Sequence, residues 1–420
     1  MQKKVYFNFL HISFFIILII INSSFKCLAQ VIPTDWSAPR VNGMGGSFTA
    51  SSNDETSVFS NPAGVSSIVN SKKNSQIQNL LIPNFEVGAN TQMFSTMGAN
   101  PNNWYTNFIN SAKDNPGKQS YFLMQSYNSF SYGGKKSLNY LFGIPFRSEN
   151  KIAFIDPSKP SQASVSSSST LTAALAIAGN TLDGLFRFGI SIRPNLRVDH
   201  QSSTFDTMLN NKFKNYTDEI NNGGYSTSAV GIDTGFILSV ADFWFPSLAV
   251  SIRNIPTGCT NSYTNPTDKS KTTVCGSMRK GATDLAPNTS KVDPTELRVG
   301  IAVTPRGRIS KAKVNFRMSV DVYPIPIEMG GKTYGIPNID FDRMLHAGSE
   351  IFFGSSLQQN SAAFRIGYME RGMTFGTTLR VLNCKLDYSS YLAVDTVPQL
   401  TGNSTEIVER RHLIGISFNW

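Results

Sequence analysis

The chain is short of charge. Only 16% of its 420 residues are Asp, Glu, Lys or Arg, against roughly a quarter in an ordinary soluble protein. Long apolar runs are also missing after the first two dozen residues, and a helical membrane bundle needs repeated runs of about 20. That architecture is excluded. Cysteine and histidine are scarce, at four each. No pair of them stands at metal-ligand spacing, and His200, His346 and His412 lie near no recognisable nucleophile motif. The sequence therefore offers no catalytic machinery, no metal site and no cofactor. The formal net charge is +10, yet no Lys/Arg cluster resembles a nucleic-acid footprint. Positive charge so dispersed suits anionic lipid headgroups or carboxylate ligands.

What fills the gap is Ser, Thr, Asn and Gly rather than Leu and Ile, since mean hydropathy is −0.15. Aromatics are plentiful, with 29 Phe, 14 Tyr and 4 Trp, which a disordered chain would lack. An uncharged, polar, aromatic-rich chain has the composition of a membrane β-barrel.

The first residues read as a secretory signal peptide. Lys3 and Lys4 precede an apolar stretch densest over Phe14–Ile21, and Ser23, Ser24, Leu28 and Ala29 lead to a cut after Ala29. An uncleaved anchor helix is the alternative. Lys26 stands before Cys27 where a lipoprotein needs a small residue. Removal of 29 of the 420 residues leaves 391 and takes away Lys3, Lys4 and Lys26 but no acid, so the remaining charge is +7.

The opposite end alternates with a period of two. Ile414, Ile416, Phe418 and Trp420 share one face, and Gly415, Ser417 and Asn419 the other. The same alternation recurs over 185–193, 296–304, 314–322 and 364–368. A soluble sandwich also alternates, with its polar face in water, but a transmembrane barrel alternates apolar-out and polar-in. In that phase Arg187, Arg193, Arg298, Arg317 and Arg365 all point into the lumen, with Glu296, Asp321, Glu350 and Asp387 as available partners. The opposite phase would place Arg against lipid at a cost of about 2–4 kcal/mol near the midplane. Glycines in the inward rows leave room for something inside. Further strands are expected near 80–92, 119–132, 138–146, 151–156, 169–178, 226–240, 242–253, 344–353, 373–381 and 384–393. A phase slip at Leu382-Asn383 reads as a tight turn, with a β-bulge as the alternative. The total is about fourteen strands, closed because lipid cannot satisfy a free edge.

Residues 30–70 do not alternate. Their small residues and turn formers suit a compact plug. The glycines lack the preceding strand and the lysine of a phosphate-binding loop. The run Arg40…Gly43-Met44-Gly45-Gly46-Ser47-Phe48-Thr49-Ala50…Asn53-Asp54…Ser60-Asn61-Pro62-Ala63-Gly64 resembles the N-terminal hatch of the FadL/TodX outer-membrane transporter superfamily, which includes a PorV/PorQ-like branch. Thr295–Gly300, His346–Glu350, Phe364–Tyr368, Lys385–Tyr388 and the final strand follow that branch's order more loosely, and residues 95–290 show no match. The resemblance implies an all-β transmembrane antiparallel barrel of about 14 strands with an N-terminal hatch inside the lumen. The expected divisions are 1–29 signal peptide, 30–70 hatch and 71–420 barrel, in the outer membrane of a bacterial cell. It also implies hydrophobic ligands that leave sideways through the wall, with Asn61, Pro62 and Ala63 in the position of the family's Asn-Pro-Ala. Ser51-Ser52-Asn53 departs from the apolar lead expected before an acidic pair.

Phe205, Met208, Leu209, Phe213, Tyr216 and Ile220 recur at helical spacing between a capping-box pair, Ser203 and Asp206, and Asn222-Gly223-Gly224. They suggest a surface helix, either packed on the rim or serving as a lid. Cys259 and Cys275 flank a polar loop and are placed to form a disulfide outside the cytoplasm, with free thiols as the alternative. Two functions follow. In the first, the barrel carries a small, fatty-acid-like hydrophobic molecule whose carboxylate meets Arg187, Arg298, Arg317 and Arg365. In the second, a PorV-like barrel binds a secretion-machine or cargo protein through its outer loops.

Overall fold

The computed structural model describes residues 36–68, 77–78, 84–93, 119–133, 138–154, 163–202, 225–241, 244–264, 271–281, 291–305, 314–337, 339–354, 360–381, 384–398 and 404–418. The signal segment, the loop helix expected over 203–224, and Trp420 lie outside the described residues.

Among the described residues there are twenty-one strands. The first nine are β1 (Ile77–Gln78), β2 (Asn84–Asn90), β3 (Gln119–Gly133), β4 (Leu138–Phe154), β5 (Ala163–Thr172), β6 (Ala174–Thr181), β7 (Phe186–Ser202), β8 (Tyr225–Ser239) and β9 (Pro246–Arg253). There follow β10 (Gly258–Thr264), β11 (Lys271–Met278), β12 (Val292–Pro294), β13 (Glu296–Val303), β14 (Val314–Ile325), β15 (Ile327–Met329) and β16 (Lys332–Tyr334). The last are β17 (Leu345–Gly354), β18 (Asn360–Met369), β19 (Gly372–Val381), β20 (Cys384–Pro398) and β21 (Ser404–Phe418).

Strand β2 pairs with β3 on one side and with β21 on the other, so the sheet closes on itself. Strands β5 and β6 are one wall strand interrupted at Ala173, since both keep a single register against β4 and against β7. Counted so, the wall is a closed antiparallel barrel of fourteen strands. The remaining short strands β10, β11, β12, β15 and β16 form a five-stranded sheet at the end away from the C-terminus. Cys259 and Cys275 face each other across β10 and β11 there and are joined as a disulfide.

The wall differs from the sequence reading in strand length. Residues expected as two strands, 138–146 and 151–156, belong to the single β4. Alternation of apolar and polar residues fails over Arg147–Lys151, but the ladder to β3 continues through them without a shift. These positions lie above the apolar belt, where both faces of a strand are polar. The phase slip expected at Leu382-Asn383 lies outside the described residues; the flanking Val381 pairs with Cys384.

The outer face is apolar around the circumference. Phe364 is 58% exposed and Ile301 56%, whereas Arg365 on the adjacent inward position is 5% exposed. Phe85, Leu175, Ile190, Phe236, Leu248, Met318, Phe375 and Ile416 continue the belt. Exposed apolar surface of this extent marks contact with something other than water, and a closed ladder is the one sheet that satisfies its backbone in hydrocarbon. The molecule is an outer-membrane β-barrel.

Residues 36–68 occupy the lumen. A short helix, Pro39–Gly43, is followed by the turn Met44-Gly45-Gly46 and by two 3-10 helices, Glu55–Phe59 and Pro62–Ser67. Gly45 and Gly46 have φ of 64° and 79°, a region open to glycine at no steric cost. The turn lies directly on inward-facing Gly348 and Gly367 of the wall, whose missing side chains leave room for the backbone of Met44 and Gly45. Gly43 and Gly376 meet in the same way, and a Cβ added to Gly43 would stand 2.9 Å from the Gly376 Cα. Replacing Gly367 with Leu should therefore push the Met44–Gly46 turn off the wall and cost about 1–3 kcal/mol or more by overpacking. Limited proteolysis should then cut within residues 36–68 while the barrel keeps its heat-modifiable migration on gels.

Candidate functional site

The contact between hatch and wall is built around one carboxylate. Arg40, in the helix Pro39–Gly43, forks onto Glu350 of β17, with Nε 3.2 Å from Oε1 and Nη2 2.9 Å from Oε2. Its Nη1 donates to Asp54 at 2.7 Å and to Asn53 at 3.0 Å. Glu350 also accepts from Arg365 Nε of β18 at 2.8 Å. Burial alone would weaken the Arg40 charge, but Glu350 and Asp54 outweigh it and hold the guanidinium above its ordinary pKa. Arg317 Nη1 donates to the Ser51 carbonyl at 2.9 Å, and Asp321 accepts the Thr49 amide at 2.6 Å. Tyr323 and His346, stacked at 3.9 Å, reach the Gly46 and Gly45 carbonyls.

The Asn-Pro-Ala turn has a local cause. Asn61 caps the second 3-10 helix, its Oδ1 accepting the Ala63 amide, while its Nδ2 donates to the Thr49 and Phe236 carbonyls. Pro62 fits the first helical position because it needs no donor there. Asn61 and Pro62 press against Gly235 and Gly189 of the wall. Arg187 Nη1 donates to Ser67 at 2.7 Å and its Nη2 to Ser239 at 3.3 Å. Six residues read from the sequence as ligand-binding, Asn61, Pro62, Ala63, Arg187, Arg317 and Arg365, therefore sit at the seam between hatch and wall. Arg298 alone of that set lines open space. It lies 4.1 Å over the Tyr323 ring and is paired with Glu296.

That open space is a cavity of about 470 Å³ above the hatch, toward the end away from the C-terminus. Its lining holds eight cations, Arg147, Lys151, Arg197, Arg253, Arg279, Arg298, Arg343 and Arg411, against five carboxylates, Glu149, Asp293, Glu296, Glu370 and Asp395. Most are cross-paired. Glu149 receives Arg147 and Lys151, each at 3.0 Å, and Asp395 receives Lys151 at 3.1 Å and also Arg411. Sequence reasoning named Arg298 and Glu296 from this set but missed Arg147, Glu149 and Lys151, which fall where alternation fails. The signal was nevertheless present, since Arg147-x-Glu149-x-Lys151 puts three charges on one face of a strand.

The cavity floor is apolar. Trp36 and Phe59 of the hatch line it, and with Tyr127 of β3 they form a ring cluster with centroids 5.4–5.7 Å apart. Leu141, Ala174, Ala176 and Ala178 of the wall join this cluster. Here the ladder is weakest. The registers place Pro145 of β4 opposite Thr172, and Pro194 of β7 opposite Ala173. Ala173 donates its N–H to the Pro194 carbonyl at 2.9 Å, but proline has no N–H to return. The next residue, Thr172, turns its polar groups the other way, toward Pro145, which likewise cannot donate. Two successive donors are thus absent from the wall beside the cavity floor.

No family model matches the chain, and no curated protein matches it. Similar solved structures include the Pseudomonas putida toluene transporter TodX (10% identity, 93% of this chain and 100% of that one, TM-score 0.48). The Ralstonia pickettii toluene transporter TbuX shows 12% identity over 93% of this chain and 100% of its own, with a TM-score of 0.46. A Pseudomonas aeruginosa FadL homologue shows 9% identity over 94% and 99%, with a TM-score of 0.37.

Because Glu350 serves two arginines, its removal should be costly. Glu350→Gln leaves Arg40 and Arg365 facing each other in a buried site and should lower stability by about 3–5 kcal/mol, the cost of breaking a buried pair. Adding Arg40→Gln should recover part of that loss. Denaturant unfolding of the single and double variants measures both.

Proposed function

We propose that the protein is an outer-membrane channel for small hydrophobic molecules, with residues 30–70 as its hatch and residues 71–420 as its barrel, exported by the leader 1–29. The reading is one of transport rather than catalysis. The observation that carries it is the continuity of three features: a charged cavity toward the end away from the C-terminus, the apolar side chains of Trp36 and Phe59 that line it and pack on Tyr127, and a nearby stretch of wall that lacks two ladder donors. A hydrophobic molecule that reached the floor would meet the alanine row of β6 and could pass sideways into lipid. The hatch seals the direct way down, since nearly all of its side chains are buried. The seam residues Asn61, Pro62, Ala63, Arg187, Arg317 and Arg365 then act by holding the hatch, and Arg298 by lining the entrance.

Restoring the missing donors tests the route. The double variant Pro145→Val, Pro194→Val should complete the ladder, raise the unfolding temperature and reduce uptake of a labelled aromatic hydrocarbon severalfold in cells that depend on this barrel. Unchanged uptake in a more stable barrel would rule out the sideways exit.

A protein-binding role keeps one supporting observation. Strand β15 is an edge of the mouth sheet, its three residues are exposed, and Met329 is 66% exposed. A bare edge can accept a strand from another protein. If it does, a partner should co-purify in stoichiometric amount from membranes and be lost with Glu328→Pro. Absence of any such partner from the unaltered chain counts against this reading.

A further inference from the structure

Two buried donors at the cavity floor have no partner among the described residues. Arg147 gives Nη2 to Glu149 at 3.0 Å, but its Nη1 is unsatisfied. The Trp36 indole Nε1 is unsatisfied as well. The two side chains are strongly buried, at 6% and 8% residue exposure, and both line the cavity. The fold brings them to one patch of wall. Trp36 packs on Tyr127, and its neighbour Ser37 accepts a hydrogen bond from Gln125 at 2.6 Å. Gln125 is the residue of β3 that faces Arg147 on β4. Buried donors are nearly always satisfied, by protein or by something bound, and an unmade bond of this kind is costly. A guanidinium N–H and an indole N–H on one patch offer two donors and no acceptor, which is the complement of a carboxylate.

The space around them sets the rest of the molecule. A cavity of about 470 Å³ is of the size that takes a small organic ligand. Two rings that line it, Trp36 and Phe59, are stacked at 5.7 Å, an arrangement that rings prefer among themselves. The lining carries more cations than carboxylates. We infer that the cavity selects small aromatic carboxylates, the acid group held jointly by Arg147 of the wall and Trp36 of the hatch and the ring lying against Phe59. This rests on the transport reading above and narrows it: a headless hydrocarbon would leave both donors unpaired. It also gives the hatch a part in recognition, since one of the two donors moves with residues 36–68.

The test uses the full chain in a nonionic detergent and calorimetric titration with 3-phenylpropionate, 3-phenylpropanol and octanoate. Phenylpropionate should bind about tenfold or more tighter than the alcohol, as expected for hydrogen bonds to a charged group, and tighter than octanoate. Arg147→Gln and Trp36→Phe should each collapse the ratio of acid to alcohol affinity toward one. Trp36→Phe removes the donor while keeping an aromatic, if smaller, ring. Heat-modifiable migration confirms that each variant is folded. Equal affinity for acid and alcohol, an acid preference that survives both substitutions, or octanoate binding as tightly as phenylpropionate would overturn the inference. Uptake of toluene by cells dependent on the barrel separates the two readings. If toluene uptake is intact without an acid preference, only this inference fails. If neither uptake nor any binding is found, the transport reading fails with it.

Discussion

Every other property of this molecule depends on the impossibility of leaving a peptide N–H or C=O unpaired in hydrocarbon. The constraint forces the first and last wall strands, β2 and β21, to meet, and closure in turn creates an inside. Once an inside exists, each wall strand has two environments separated by one residue. The low charge and the near-zero hydropathy of the sequence are the average of those two environments. At Pro145 and Pro194 the wall lacks two ladder donors, and an apolar part of the interior lies nearby.

Charge inside the barrel does structural work before it does anything to a ligand. A buried carboxylate such as Glu350 is tolerable because two guanidiniums pair with it. The same logic runs around the cavity, where Glu149, Glu296 and Asp395 are each shared between two or more cations. Shared acids leave a surplus of donors, so the interior is self-supporting and still able to receive an anion. Rigidity of this sort fixes the hatch without a covalent link. Its hold comes from many short polar contacts together with the apolar cluster that Trp36, Val58, Phe59 and Val65 form with Tyr127, Leu141 and the alanines of β6.

Much of the wall was legible in the sequence because a period of two is a strong signal wherever one neighbour is lipid. Phe364, Arg365 and Ile366 show it plainly, and their exposures follow it. The signal disappears where the strands rise above the belt. That is why β4 read as two pieces and why Arg147, Glu149 and Lys151 were not recognised as cavity lining. The inward arginines were placed on the correct face, but their partners were not legible. Arg40 lies 310 positions from Glu350 along the chain, and no local pattern reports a pairing of that separation. Glycine was the better guide. Rows of Gly on inward positions signalled an occupied lumen, and Gly348, Gly367 and Gly376 lie against the hatch backbone.

The hatch also bears on how the molecule is made. Its residues are synthesised early, but the groups that fasten it belong to strands synthesised late: Asp321 on β14, Glu350 on β17, Arg365 on β18, Thr374 and Gly376 on β19. A chain arrested before those strands carries Arg40 with no acid from the wall to receive it. The hatch thereby acts as an internal gauge of completeness, because a wall missing a late strand cannot dock it. Strand β21, which seals the seam against β2, follows all of these fastenings along the chain, so the strand that closes the wall lies beyond every group that holds the hatch.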